Sequence, residues 1–172
     1  MIRVVVDDVG FLAADAIVRP ATTRLDPTAA ALRRLETLGG AEFHDRLRLT
    51  RDLPVGAAVV TAAGGDLPAE FVIHTVIRSE TEPVSRGSVT RAWRAALQQA
   101  QEWEFGHLSV PPIGTGAGNL TIEDAAEIMA TVLQSHLENS AFPADVSFVV
   151  ETPQDHEVFE AALKRAAAMD QS

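Results

Sequence analysis

Apolar residues follow two rhythms along this chain. Six short stretches, Ile2–Val6, 16–18, 57–61, 71–77, 108–113 and 146–150, are nearly continuous runs of apolar residues. Runs of that length without alternation predict strands covered on both faces of a sheet. Between them the apolar positions recur every three or four residues. Over 88–105, Val89, Ala92, Trp93, Ala96, Leu97, Ala100 and Trp103 fall on one stripe, with Ser88 expected as N-cap and Gly106 as stop. Over 122–137, Ile122, Ala125, Ala126, Met129, Val132 and Leu133 form a second stripe, and Thr121 with Asp124 makes a capping box. Further helices are expected over 27–38, with Pro27 in the first turn, and over 154–168; 42–49 is another candidate. Strands alternating with helices predict an α/β fold, a three-layer α/β/α sandwich. Uneven separations among the first three strands favour a mixed, roughly six-stranded central sheet. The polar stretches "TAAGGDLPAE" and "RSETEPVSRG" read as turns rather than linkers, so residues 1–172 are expected to form a single domain.

Composition narrows the chemistry. With 172 residues, 47% of them apolar and 22% charged, the chain reads as an ordinary globular protein able to bury a core without staples. No apolar run approaches the roughly 20 residues of a membrane span. The opening "MIRVVVDDVG" carries two aspartates where an export signal needs an apolar core, so the expected location is the cytoplasm. The absence of cysteine removes disulfides, thiolate nucleophiles and cysteine-ligated zinc. His44, His74, His107, His136 and His156 show no i, i+4 spacing, so neither a metal site nor a cofactor is expected. A net charge of −10 repels phosphate backbones and makes nucleic acid an unlikely partner.

Two stretches carry candidate chemistry. In "VPPIGTGAGNLTIEDAAEIM", residues 110–129, an apolar run gives way to Gly114-Thr115-Gly116-Ala117-Gly118 and then at once to a helix. That is either a tight turn or a cradle whose amides close around an anion beside a helix start. It is not a P-loop, since Asn119 stands where lysine is needed, and not a dinucleotide fingerprint, since it follows the fifth strand. Glu123 and Asp124 offset the helix dipole, which leaves the loop amides as the main holders of any phosphate. In "VVVDDVGFLAADAIVRPAT", Asp7 and Asp8 end the first strand. They begin a solvated turn or accept from a donor such as an exocyclic amine.

Taken together, these stretches resemble the macro domain family. "DDVGFLAADAIV" is similar to its Gly-Asp-Ile-Thr stretch followed by Asp-Ala-Ile-Val, and the spacing of Asp8 and Asp15 fits. "LPVGAAVVTAAGGDLPAEFVIHTVI" resembles its Pro-Thr-Gly-x-Ala segment and Leu-Pro-x-x-x-Val-Ile-His-Thr-Val strand, and "PPIGTGAGNLTIEDAAEIM" its Pro-x-Ile-Ser-Thr-Gly loop and helix. The resemblance implies a three-layer fold that binds ADP-ribose; some members also hydrolyse ADP-ribosyl groups or O-acetyl-ADP-ribose. Carried over by position, Asp8 would accept from the adenine amine with the Val9 amide nearby. Gly114, Thr115, Gly116, Ala117 and Gly118 would wrap the diphosphate, with Asn119 beside them, and His74 would be a core residue.

The departures from the family are equally specific. Hydrolytic members carry Asn-Ala-Ala-Asn where this chain has Arg19-Pro20-Ala21-Thr22, which puts Thr22 in place of the ribose-contacting asparagine. The first ligand loop, glycine-rich in the family, reads "TRLDPTAAALRRL". Ala117, Gly118 and Asn119 stand where an aromatic residue usually meets the distal ribose, and no aromatic partner for adenine is evident near Glu151 and Thr152. The candidates for chemistry are Asp26 and Thr22. Arg19 and Arg24 are expected as solvated charges, with contacts to phosphate as the alternative. The resemblance thus implies an ADP-ribose (or related adenine diphosphate nucleotide) binding module. The alternatives are a hydrolase of ADP-ribosyl groups or O-acetyl-ADP-ribose with an atypical site, and a macro-fold interaction protein that has lost the ligand. Its partner would be ADP-ribose or an ADP-ribosylated protein; catalysis and oligomeric state stay open.

Overall fold

The computed structural model describes residues 1–28, 30–48, 52–116 and 120–170. Its strands are β1 (Ile2–Val6), β2 (Ala14–Thr22), β3 (Ala58–Ala62), β4 (Ala69–Arg78), β5 (His107–Val110) and β6 (Asp145–Val150). Its helices are α1 (Ala30–Arg48), α2 (Arg86–Trp103), α3 (Ile122–Leu137) and α4 (Pro153–Asp170), with a short 3-10 turn at Val9–Phe11 after β1. The six strands form one sheet in the order β1-β6-β5-β2-β4-β3. All pairs are parallel except β3 with β4, so the sheet is mixed.

Alternation along the strands divides the core. Ala16 and Val18 of β2 and Ile73 and Ile77 of β4 join the side chains of α2, α3 and α4 in the larger core, around Trp93, Met129, Leu133, Phe148 and Phe159. Ile17 and Val72 point the other way and pack with Leu35 of α1, Val9 and Val149. Three helices therefore cover one face of the sheet and α1 the other. Trp93 is fully buried, and its indole N–H donates to the Met129 carbonyl at 2.9 Å, which ties α2 to α3 without leaving a polar group unpaired.

Several boundaries differ from expectation, each for a local reason. Helix α2 begins at Arg86 because Ser85, not Ser88, is its N-cap; Ser88 is the reciprocal member of the capping box. It ends on Glu104 in a left-handed conformation (φ 55°), two residues before Gly106. The start of α3 is as expected: Thr121 caps it by accepting from the Asp124 amide at 3.1 Å through its side chain. The 27–38 and 42–49 helices are one element, kinked at Gly40 (φ 66°, ψ −158°), and Leu49 lies outside the described residues. Pro27 is not in the first turn of α1 but bridges to Ala21, because the chain after β2 folds back on itself. Strand β5 stops at Val110, before Pro111 and Pro112, which cannot donate to a ladder.

Because five strands are parallel, the connections after β1, β6, β5, β2 and β4 leave from one edge of the sheet. This is where open α/β sheets collect ligands.

Candidate functional site

A cleft of about 300 Å³ opens on that edge. The turn after β1 supplies Asp7, Asp8 and Val9; the β5–α3 loop supplies Pro111, Pro112, Gly114, Thr115 and Gly116. Thr28, Leu32 and Arg34 wall it from the α1 side, and Ile122, Val149, Glu151 and Asp155 complete the lining. The cleft is thus bounded by apolar and proline surface, with carboxylates at one end and a glycine loop at the other.

At the acidic end, Asp8 is fixed by two donors. Its Oδ1 accepts from the Gly10 amide at 2.9 Å, which caps the 3-10 turn, and its Oδ2 accepts from Arg34 Nε at 2.7 Å. Arg34 NH2 also lies 3.6 Å from Glu151 Oε1. The hydrogen bond and charge of Asp8 hold the Arg34 guanidinium above its ordinary pKa. Among the described residues lining the cleft, Arg34 is the sole cation facing Asp7, Asp8, Glu151 and Asp155, and none is aromatic.

At the other end, Gly114 adopts φ 92°. A Cβ there would come within 2.8 Å of Val89 Cγ2 and 3.1 Å of Leu120 Cδ1, so the chain passes too close to the core for any side chain. Thr115 and Gly116 follow it toward the surface, and no backbone carbonyl among the described residues takes their amides. Asp124, in the first turn of α3, pairs with Arg86 at 2.6 Å, which offsets its charge at the helix start. Ala117, Gly118 and Asn119 lie outside the described residues.

The first loop departs furthest from expectation. The Thr22 amide donates to the Asp26 carbonyl at 3.0 Å, and the Thr22 hydroxyl accepts from the amides of Arg24 and Asp26, closing a tight turn. Thr22 and Asp26 consequently line a different depression, with Thr23, Arg24, Asp52, Arg78 and Glu80, over the ends of β2 and β4. Neither lines the cleft that holds Asp8. Arg24 is exposed, 3.7 Å from Glu80.

Arg19 is not a solvated charge but is fully buried. It follows Val18 on β2 and so faces α1, beside its register partner His74. Its NH2 donates to the Leu25 carbonyl at 2.6 Å and to the Glu36 carboxylate, and its NH1 lies 3.3 Å from His74 Nδ1. Burial pulls this guanidinium below its ordinary pKa, against the charge and hydrogen bond of Glu36. Guanidinium only donates, so His74 Nδ1 accepts, and the proton sits on Nε2, 2.8 Å from the Thr61 hydroxyl. Burial first and the Arg19 charge second hold His74 well below the usual imidazole pKa; it is neutral.

The sequence reading missed Thr28, Leu32 and Arg34 as lining residues and Arg19 as a buried tie. A signal existed for Thr28 and Leu32, which are four residues apart and so share a helical stripe, but none for Arg34, and nothing local says which side of α1 meets the cleft. Comparison with known proteins then brings out a common pattern. A family model described as "Macro domain" matches residues 18–129. A macro domain-containing protein of Streptomyces coelicolor is 33% identical, over 94% of this chain and 98% of its own length. An uncharacterized protein of Mycobacterium tuberculosis is 32% identical over 91% of this chain, which spans only 43% of that relative's length. A Trypanosoma brucei macrodomain solved in complex with ADP-ribose superposes with a TM-score of 0.84 at 20% identity, over 94% of this chain and 68% of that one. At that identity the likeness is one of fold.

Proposed function

We propose, from the premise that this chain belongs to the macro domain family, that its cleft binds ADP-ribose or a related adenine diphosphate nucleotide. Macro domains are ADP-ribose binding modules. The observation that carries the reading to this chain is that one cleft holds Asp8 at one end and Gly114, Thr115 and Gly116 at the other. Asp8 accepts from the adenine amine, and the Val9 amide stands beside it. The Thr115 and Gly116 amides receive the diphosphate, continued by Ala117, Gly118 and Asn119, with the start of α3 adding favourable partial charge. In this reading residues 1–172 act as one macro-like unit, and the natural bearer of the ligand is free ADP-ribose or an ADP-ribosylated protein.

Binding is favoured over hydrolysis because Thr22 and Asp26, the groups considered for chemistry, line a separate depression. A catalytic group must reach the reacting atom at hydrogen-bond distance or through one water.

Calorimetry against ADP-ribose, ADP, AMP and NAD tests the proposal. ADP-ribose and ADP are expected to bind, and AMP more weakly because it lacks the second phosphate. No binding of any of the four would overturn it.

A further inference from the structure

We infer that Arg34 is a positioning residue: by fixing the orientation of the Asp8 carboxylate it makes the cleft select nucleotides whose purine carries a 6-amino group. The inference rests on the proposed binding of an adenine nucleotide and adds to it the residue that sets base preference.

Three observations converge on Arg34. Asp8 is held from both sides, Oδ1 by the Gly10 amide at 2.9 Å and Oδ2 by Arg34 Nε at 2.7 Å. A carboxylate offers about four acceptor directions, so two remain, and both point along fixed lines. Arg34 is itself oriented by Glu151, 3.6 Å from NH2, so the fork spans two carboxylates that come from different loops. Finally, the described residues lining the cleft include no aromatic ring, which leaves the polar edge of the base, rather than a stacking platform, to set its orientation.

A fixed carboxylate discriminates where a mobile one does not. The amine of adenine donates into the free lone pairs of Asp8. Hypoxanthine presents a carbonyl oxygen at the same position, so a fixed Asp8 oxygen meets an acceptor where adenine offers a donor. With Arg34 in place, Asp8 cannot turn away from that clash. Without it, one hydrogen bond from Gly10 leaves the carboxylate free to rotate, and the penalty relaxes. Replacing a donor by an acceptor against a built polar site is where selectivity is largest.

The test compares ADP with inosine diphosphate by calorimetry, in the wild-type protein, Arg34→Ala and Arg34→Lys. Arg34 is 53% exposed, so both variants are expected to fold, which thermal unfolding verifies. The wild type is expected to prefer ADP by roughly tenfold or more, the size of a charge-assisted hydrogen bond lost. In Arg34→Ala the ratio should fall to within about threefold while diphosphate binding persists, since the loop amides are untouched. Arg34→Lys keeps the charge but not the fork and should lose most of the preference. A ratio that stays the same or grows in Arg34→Ala would overturn the inference, as would full retention in Arg34→Lys, which would make Arg34 a counter-charge only. Either result leaves the binding function standing; wild-type protein that binds neither nucleotide nor ADP-ribose would overturn both.

Discussion

Asp8 does two jobs with one carboxylate. It caps the Val9–Phe11 turn through Gly10 and anchors Arg34, and it lines the cleft with acceptor capacity to spare. Asp8→Ala is expected to weaken ADP-ribose binding by at least about tenfold, the scale of a hydrogen bond to a charged acceptor. Asp8→Asn, which keeps one acceptor oxygen for the cap, should bind with intermediate strength, and calorimetry on the two separates loss of the cap from loss of the ligand contact. Gly114 poses the complementary case. Gly114, Thr115 and Gly116 all line the cleft, but the two readings of the glycine loop fall differently on them: Gly114 (φ 92°) makes the turn against the core, while Thr115 and the exposed Gly116 lead outward as the cradle. A methyl at 114 meets Val89 and Val84, both buried, as well as Leu120. Gly114→Ala should therefore cost roughly 2–4 kcal/mol, left-handed strain and overpacking together, measured by urea denaturation. Near-wild-type stability would mean that the loop shifts freely and is no rigid cradle.

At the scale of elements, one buried guanidinium sets the wall of the cleft. Arg19 donates to the Leu25 carbonyl and to Glu36, the two ends of a segment that carries Thr28, Leu32 and Arg34 into the cleft. Leu25 sits at φ 65° without being glycine, a conformation that persists only because its side chain is buried and its carbonyl is held. Arg19→Met is expected to destabilise the fold toward the lower end of roughly 3–5 kcal/mol, because Glu36 is left half-buried without its partner. It should also raise hydrogen exchange over residues 25–36 while leaving α3 protected; uniform exchange would mean that the tie is not local to the wall. This is also where sequence reading stopped. The strand runs, the α2 and α3 stripes, the Asp8 turn and the glycine loop were legible because each signal is local. Arg19 was not: it follows an apolar run and looks like a surface charge, and its partners lie at 25, 36 and 74, brought together only by the register of β2 on β4. That Thr22 and Asp26 line a depression apart from the cleft was hidden for a related reason, since the turn that places them there is closed by their own backbone.

Across the whole molecule, the same line of side chains joins the edge strand of the sheet to α1, the helix that walls the cleft. It runs from Thr61 on β3 through His74 on β4 and Arg19 on β2 to Glu36 on α1. Its weak point is acid. His74 is fully buried with Arg19 against Nδ1, so a second proton would set N–H against N–H next to an existing positive charge. Its pKa in the fold is well below the usual value, chiefly through burial and then through Arg19. The unfolded chain, with an ordinary histidine pKa of about 6.5, binds the proton first. Stability from this residue is therefore complete above that pH, and falls as the pH drops toward the folded-state pKa, because only the unfolded state gains protons over that window. Carboxylates titrate in acid too, so the effect is read as a difference between proteins. In urea denaturation at several pH values from 7.5 down to 5, the wild type should lose stability more steeply than His74→Gln, by up to about 1.4 kcal/mol for each pH unit below 6.5. Because Arg19 also holds the α1 wall, ADP-ribose affinity is expected to weaken over the same range in the wild type and less so in His74→Gln. Parallel stability curves for the two proteins would mean that His74 takes a proton in the folded state as readily as in the unfolded one, and the line from β3 to the cleft would then be broken at that residue.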